Sequence, residues 1–220
     1  MNPGIPAEGL GIPRTVYLIW RRLRPWFLTF LGMGRKGKKG VEESGSVIMF
    51  YENIFRKLSE EKVRYLIIGG IAVNLYGFSR VTGDLDIMLD LDDSNSVLGF
   101  IKAVKALGFK PRIPVRIDDF GDPAKRREWI EGKNMKVFSV YNPSNEIEHV
   151  DVMVENYIDF GPAYRAKEIV PAGGLNLPVV AINALIKLKK IAGRSRDQID
   201  IAALKEIKVL RNEKHKKQKK

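Results

Sequence analysis

The 220-residue chain contains no cysteine. That excludes disulfides and thiolate metal sites, and it suits a reducing compartment, so a cytoplasmic protein is expected. Long apolar runs are also missing. The apolar segments 16–20 and 26–31 are separated by Arg21, Arg22 and Arg24. Neither approaches the roughly 20 apolar residues that a membrane span needs. A signal peptide would carry its charges first and a small-residue cleavage site last, and that order is absent. A calcium loop is excluded as well. Asp90, Asp92 and Ser94 have suitable spacing, but the required glycine and terminal glutamate do not follow.

Cationic charge is plentiful but unevenly placed. The net charge is +12. Residues 1–48 carry +5, residues 206–220 another +5, and everything between only +2. Such ends bind nucleic acid through phosphate contacts, or simply serve as solvated tails. The first segment is rich in Pro and Gly, and Arg35 to Gly40 reads as a flexible basic linker. Its basic, aromatic character also suits a membrane surface. The simpler readings are an irregular extension, or upstream sequence ahead of a natural start at Met49. The expected organisation is an extension over 1–45, a folded domain over 46–210 and a basic tail over 211–220. With 45% hydrophobic residues, that domain has enough apolar material for a core.

The most informative stretch runs from Tyr65 to Leu89. Tyr65 to Ile68 is an apolar run that predicts a buried strand. Gly69 and Gly70 interrupt it, and Ile71 to Tyr76 suits a short helix closed by Gly77. After a polar loop, Asp84 to Leu89 alternates polar and apolar, the period of a half-buried strand. Asp84 and Asp86 then project from one face while Leu85, Ile87 and Leu89 pack inward. Adjacent carboxylates repel unless a cation lies between them. Mg²⁺ favours carboxylate oxygens and substrate phosphates. A Gly-Gly turn at a helix start leaves backbone N–H groups open to a phosphate. The combination points to nucleotide chemistry.

Helical spacing predicts helices from about Ser46 to Leu58, from Ser94 to Leu107 before Gly108, over Ile182 to Ile191 before Gly193, and over Asp197 to Leu210. Residues 110–134, with Pro111, Pro114 and Pro123, read as a loop with a helical turn or two at Lys125 to Ile130. Met135 to Val140 and Ile147 to Val154 predict an antiparallel pair around a turn at Tyr141 to Asn145. On the second of these strands His149 and Asp151 share a face. Asp151 lies between two valines, as on a central strand. Short strands are expected at Ile169 to Val170 and Leu175 to Val180.

The order of these features resembles the nucleotidyltransferase superfamily that includes DNA polymerase beta. The pattern there is an apolar strand, a Gly-Gly or Gly-Ser turn, a short helix, an Asp-x-Asp strand and a third carboxylate on a later strand. Here it reads Ile68-Gly69-Gly70, then Asp84-Leu85-Asp86-Ile87, then Asp151. With Arg80 and Thr82 ahead of the acids, it looks most like a small prokaryotic branch that includes the AbiEii-type toxins. Leu188-Lys189, Gly193-Arg194, Arg196-Asp197 and Asp200-Ile201 match the same branch. The likeness covers roughly residues 50 to 208.

The resemblance implies an α/β fold: a nucleotidyltransferase-like mixed sheet with flanking helices and C-terminal helices closing a cleft. It implies metal-dependent transfer of a nucleoside monophosphate from a nucleoside triphosphate. Asp84, Asp86 and Asp151 would hold two Mg²⁺ ions, about 4 Å apart in enzymes of this kind. Asp151 would also help to take the acceptor proton. Gly69 and Gly70 would bind the triphosphate, with Arg80 and Thr82 as further contacts. By the same resemblance Lys189 would reach the phosphates and Asp197 would support the site. Asp197 also reads as an ordinary helix opener, and Arg80 as a structural partner of Asp84 or Asp86. The expected acceptor is an RNA 3′ end or a partner protein, on the strength of the basic tail. A small-molecule adenylyltransferase, such as an antibiotic-modifying enzyme, and an inactive nucleotide-binding module are the alternatives.

Overall fold

The computed structural model describes residues 51–172 and 174–218. The expected extension over 1–45 and the start of the first helix lie outside the described residues. Seven helices and seven strands follow in the order α1 (Glu52–Glu60), β1 (Tyr65–Ile67), α2 (Gly69–Leu75), β2 (Asp84–Leu89), α3 (Ser94–Ala106), β3 (Lys110–Pro111), α4 (Pro123–Lys133), β4 (Val137–Asn142), β5 (Asn145–Met153), α5 (Phe160–Arg165), β6 (Glu168–Ala172), β7 (Leu175–Val179), α6 (Ile182–Ala192) and α7 (Ser195–Gln218). A short 3-10 helix, Ile117–Gly121, precedes α4. The fold is α/β with a mixed sheet, as expected.

The strands form one sheet in the order β3-β4-β5-β2-β1-β7-β6. β2 pairs with β5 in parallel, and β1 meets β7 in parallel at Ile67 and Val179. The remaining neighbours are antiparallel. The central strands explain themselves. Tyr65, Leu66 and Ile67 are all buried, as are Leu85, Ile87, Met88 and Leu89. Each such large side chain contributes about 1.5–3 kcal/mol when withdrawn from water. Short edge strands, with Pro111 in β3 and Pro171 in β6, leave little ladder open for another chain.

Two expectations need correction. Residues 110–134 hold more than a helical turn or two, since α4 runs for 11 residues. Pro123 signals a helix start here, because Asp122 caps the helix by accepting the Ala124 N–H at 2.8 Å and proline needs no N–H in the first turn. Trp129 of α4 then stacks on Phe138, and Phe138 on Phe120, at ring-centroid distances of 5.5 and 5.2 Å. The connector after β5 contains α5, a single short helix with Phe160 buried.

Gly77 does close α2. It lies at φ +104, with its N–H on the Asn74 carbonyl and the Phe78 N–H on that of Val73. That pair of bonds is the Schellman closure, and it turns the chain sharply into the loop that carries Arg80 and Thr82.

Candidate active site

Alternation along β2 does what the sequence requires. Leu85 and Ile87 are fully buried, whereas Asp84 is exposed and Asp86 half-buried on the opposite face. The parallel pairing with β5 sets Asp84 beside His149 and Asp86 beside Asp151. The third carboxylate thus joins the first two through strand register. His149 Nδ1 lies 3.5 Å from Asp84 Oδ1, and its ring meets Tyr141 edge-on.

Burial pushes the Asp86 carboxyl up to about 6, and the neighbouring charges of Asp151 and Asp84 push in the same direction. The Gly70 N–H, 3.4 Å from Asp86 Oδ2, opposes this, as does the charge of Arg194. Burial likewise raises Asp151, and Asp84 adds to the rise. A hydrogen bond from Ser139, its neighbour on β4, and the charges of His149 and Arg112 offset part of it. Two carboxylates are therefore held in low-dielectric surroundings close to a third.

Gly69 and Gly70 carry no side chain because none fits. Gly69 adopts φ +66, and a Cβ on it would stand 1.9 Å from Asp86 Oδ2. The turn lies directly on the acid because the β1 ladder ends there, the Ile68 N–H bonding the Asp86 carbonyl at 3.0 Å. A Cβ on Gly70 would be 2.4 Å from both Arg80 Nη2 and Thr82 Oγ1. Arg80 and Thr82 thus converge on Gly70, as a shared role at a phosphate would require. Asn74 fixes the loop. Its carboxamide accepts the Arg80 N–H at 3.1 Å and donates to the Arg80 carbonyl at 2.9 Å. Tyr51 of the leading turn bonds the Gly83 carbonyl just ahead of Asp84.

The C-terminal helices border this region differently from expectation. Lys189 is 3% exposed and sits between two carboxylates, with Nζ 3.3 Å from Asp197 Oδ1 and 2.6 Å from Asp200 Oδ2. Asp197 does open α7. At the third helical position it accepts the Arg194 N–H at 3.1 Å, and it also takes the Arg194 Nε–H at 3.0 Å. Arg80 has neither Asp84 nor Asp86 as its ion-pair partner. Its Nε lies 3.5 Å from Asp200 Oδ1.

No protein-family model matches the sequence, and no curated protein matches it. Among solved structures, the chain is similar to the lincomycin-bound lincosamide antibiotic adenylyltransferase LnuA, at 16% identity over 74% of this chain and 96% of that one, with a TM-score of 0.47. It is also similar to antibiotic-resistance factor ANT(2'')-Ia in solution, at 13% identity over 78% of this chain and 92% of that one, with a TM-score of 0.48. The crystal structure of ANT(2'')-Ia with adenylyl-2''-tobramycin gives 13% identity over 78% and 98%, again with a TM-score of 0.48.

Among the described residues no group of three or more His, Asp or Glu side chains is drawn together tightly enough to hold a metal ion as it stands. Asp84 is turned toward His149. The donor chemistry nonetheless suits a hard divalent cation. Three carboxylates share one face of β2 and β5, and two are raised by burial and by neighbouring carboxylate charge, Asp86 by Asp151 and Asp84, Asp151 by Asp84, which a cation relieves. Sequence reasoning assigned no role to Asp200 or Arg194. A signal was present for the first: Asp200 follows Asp197 by three positions in a helix, so both face the same way. No helix among the described residues is long and apolar enough to cross a membrane.

Proposed function

We propose that the protein is a nucleotidyltransferase of the DNA polymerase beta-like superfamily, transferring a nucleoside monophosphate from a nucleoside triphosphate to an acceptor hydroxyl. The observation that carries this reading is the register of β2 and β5, which sets Asp151 beside Asp86, with Gly69 flush against the Asp86 carboxylate. In the reaction, the acceptor oxygen forms a bond to the α-phosphorus. The bond from that phosphorus to its β-bridging oxygen breaks, and pyrophosphate leaves with the electron pair. Asp151 takes the acceptor proton, a role suited by its raised carboxyl. Gly69, Gly70, Arg80 and Thr82 bind the triphosphate. Lys189 and Asp197 support that site from behind. Asp84, Asp86 and Asp151 would hold Mg²⁺, which supplies charge neutralisation at the transferring phosphate.

A small hydroxyl-bearing molecule is the preferred acceptor, ahead of an RNA end or a partner protein. The RNA expectation rested on the basic tail. α7 carries that tail away from the site: at 1.5 Å per residue, Arg211 lies roughly 20 Å along the helix from Asp197. Arg211 is also already engaged, bonding Glu168 at 2.6 Å and lying over the Tyr76 ring.

Transfer of label from α-³²P nucleoside triphosphates tests the proposal, with aminoglycosides, a lincosamide, tRNA and co-purifying proteins as acceptors. Label should move to a small acceptor, and Asp84→Asn, Asp86→Asn and Asp151→Asn should abolish the movement. Full transfer by any of these variants sinks the mechanism. Label on tRNA that is lost when residues 212–220 are removed restores the RNA reading.

A further inference from the structure

Asp200 is 1% exposed and charged, yet the reaction above gives it nothing to do. It belongs to a network of five charged side chains. Lys189 Nζ bridges Oδ1 of Asp197 and Oδ2 of Asp200. The other oxygen of each carboxylate is turned toward an arginine: Asp197 Oδ2 to Arg194 Nε at 3.0 Å, Asp200 Oδ1 to Arg80 Nε at 3.5 Å. Arg194 is therefore hydrogen-bonded at Nε, from the side, whereas Arg80 Nε is buried without a hydrogen-bond partner and faces Asp200 as an ion pair. Neither has a hydrogen-bond acceptor on its Nη groups among the described residues.

We propose that Asp197 and Asp200, bridged by Lys189, are positioning residues that present Arg194 and Arg80 as a two-arginine clamp for the triphosphate. The inference rests on the nucleotidyltransferase reading and deepens it, because it assigns triphosphate recognition to two named guanidinium ends and removes it from Lys189. Three observations support it. The Nη pair of an arginine is the fork that matches two phosphate oxygens, and in both arginines the carboxylate stands at the Nε side, which leaves that end free. The Arg80 fork also borders the acids. Arg80 Nη2 occupies the space a Gly70 side chain would fill, and the Gly70 N–H lies on Asp86, while Arg194 is joined to Arg80 through Asp197, Lys189 and Asp200. Third, Lys189 is enclosed between its aspartates and 3% exposed, whereas Arg80 and Arg194 keep 20% and 52% of their side-chain surface.

Charge favours the same arrangement. Three cations against two carboxylates leave the network with one positive charge, which favours a polyanion. Both arginines are also fixed along the backbone: Asn74 brackets Arg80, and Gly193 at φ +64 turns the chain so that the Arg194 N–H reaches Asp197.

Calorimetric titration of the full chain with ATP, GTP, CTP and UTP, and with the four monophosphates, tests the clamp. Each titration is run with Mg²⁺ and with EDTA. The wild type should prefer a triphosphate to its monophosphate. Arg80→Gln and Arg194→Gln should each weaken triphosphate binding by about tenfold while leaving the monophosphate within about twofold. Asp200→Asn should weaken the triphosphate in the same selective way. That variant leaves Lys189 less well compensated, so if it does not fold the two arginine variants decide. Arginine variants with the wild-type ratio of triphosphate to monophosphate affinity overturn the clamp and leave the nucleotidyltransferase reading standing. So does a folded Asp200→Asn protein with wild-type triphosphate affinity. A wild type that binds no nucleotide overturns that reading and the clamp together.

Discussion

Asp86 of β2 and Asp151 of β5 are direct neighbours on parallel strands, and after burial the charge of Asp151 is what most raises the cost of ionising Asp86. The Asp86 carboxyl, moved from 3.8 to about 6, makes this measurable. A raised carboxyl favours the folded state below pH 4, and that contribution is lost as pH rises through 6. At 1.36 kcal/mol per pH unit the loss is about 3 kcal/mol at most. Urea unfolding at pH 4.5 and pH 7 should show Asp86→Asn gaining on the wild type as pH rises. A constant difference between the two proteins would mean that Asp86 ionises freely.

Gly69→Ala should damage both fold and function. The left-handed backbone costs roughly 1–2 kcal/mol for a residue with a Cβ, and here that Cβ would also displace the Asp86 carboxylate. Gly108→Ala is the control. It shares a positive φ, +73, but faces open space. Thermal melts of the pair should show a larger loss at Gly69, with nucleotide transfer abolished there and retained at Gly108.

Lys189→Ala should destabilise the protein by about 3–5 kcal/mol, because Asp197 and Asp200 would face each other without their shared cation. Chemical denaturation measures this directly. A wild-type midpoint would show that the two carboxylates find another partner.

A chain beginning at residue 46 should melt at the same temperature as the full chain. Tyr51 is the first described residue, and it is already buried against the core. A drop of several degrees in the truncated protein would show that the preceding segment packs on the domain.

Much of the site was legible in residue order. Alternation at Asp84 to Leu89 fixed which face carries the acids, and the valines around Asp151 marked a central strand. Gly77 announced the end of α2. What remained hidden depends on contacts distant in sequence. Nothing local tells that Lys189 is enclosed, because its burial comes from a helix that begins after the Gly193 turn. Arg80 paired with Asp200, 120 positions away, instead of with the nearby Asp84 or Asp86. Pro123 misled for a local reason: proline ends a helix in its interior and begins one in its first turn, and Asp122 decides between the two.

The parallel pairing of β2 with β5 has a consequence for how the molecule comes to life. Residue 151 lies 65 positions after residue 86, and no hairpin can bring them together. Closing a loop of that length costs about 4 kcal/mol in chain entropy, and it must be met before the contact returns anything. The strand that closes it is paired with its sequence neighbour β4, a local contact that costs far less chain entropy to form first. An emerging polypeptide would therefore hold its glycine turn and first two acids early, yet remain chemically silent until the β4–β5 hairpin had docked. A chain interrupted before residue 151 would then have no complete set of three acids to expose.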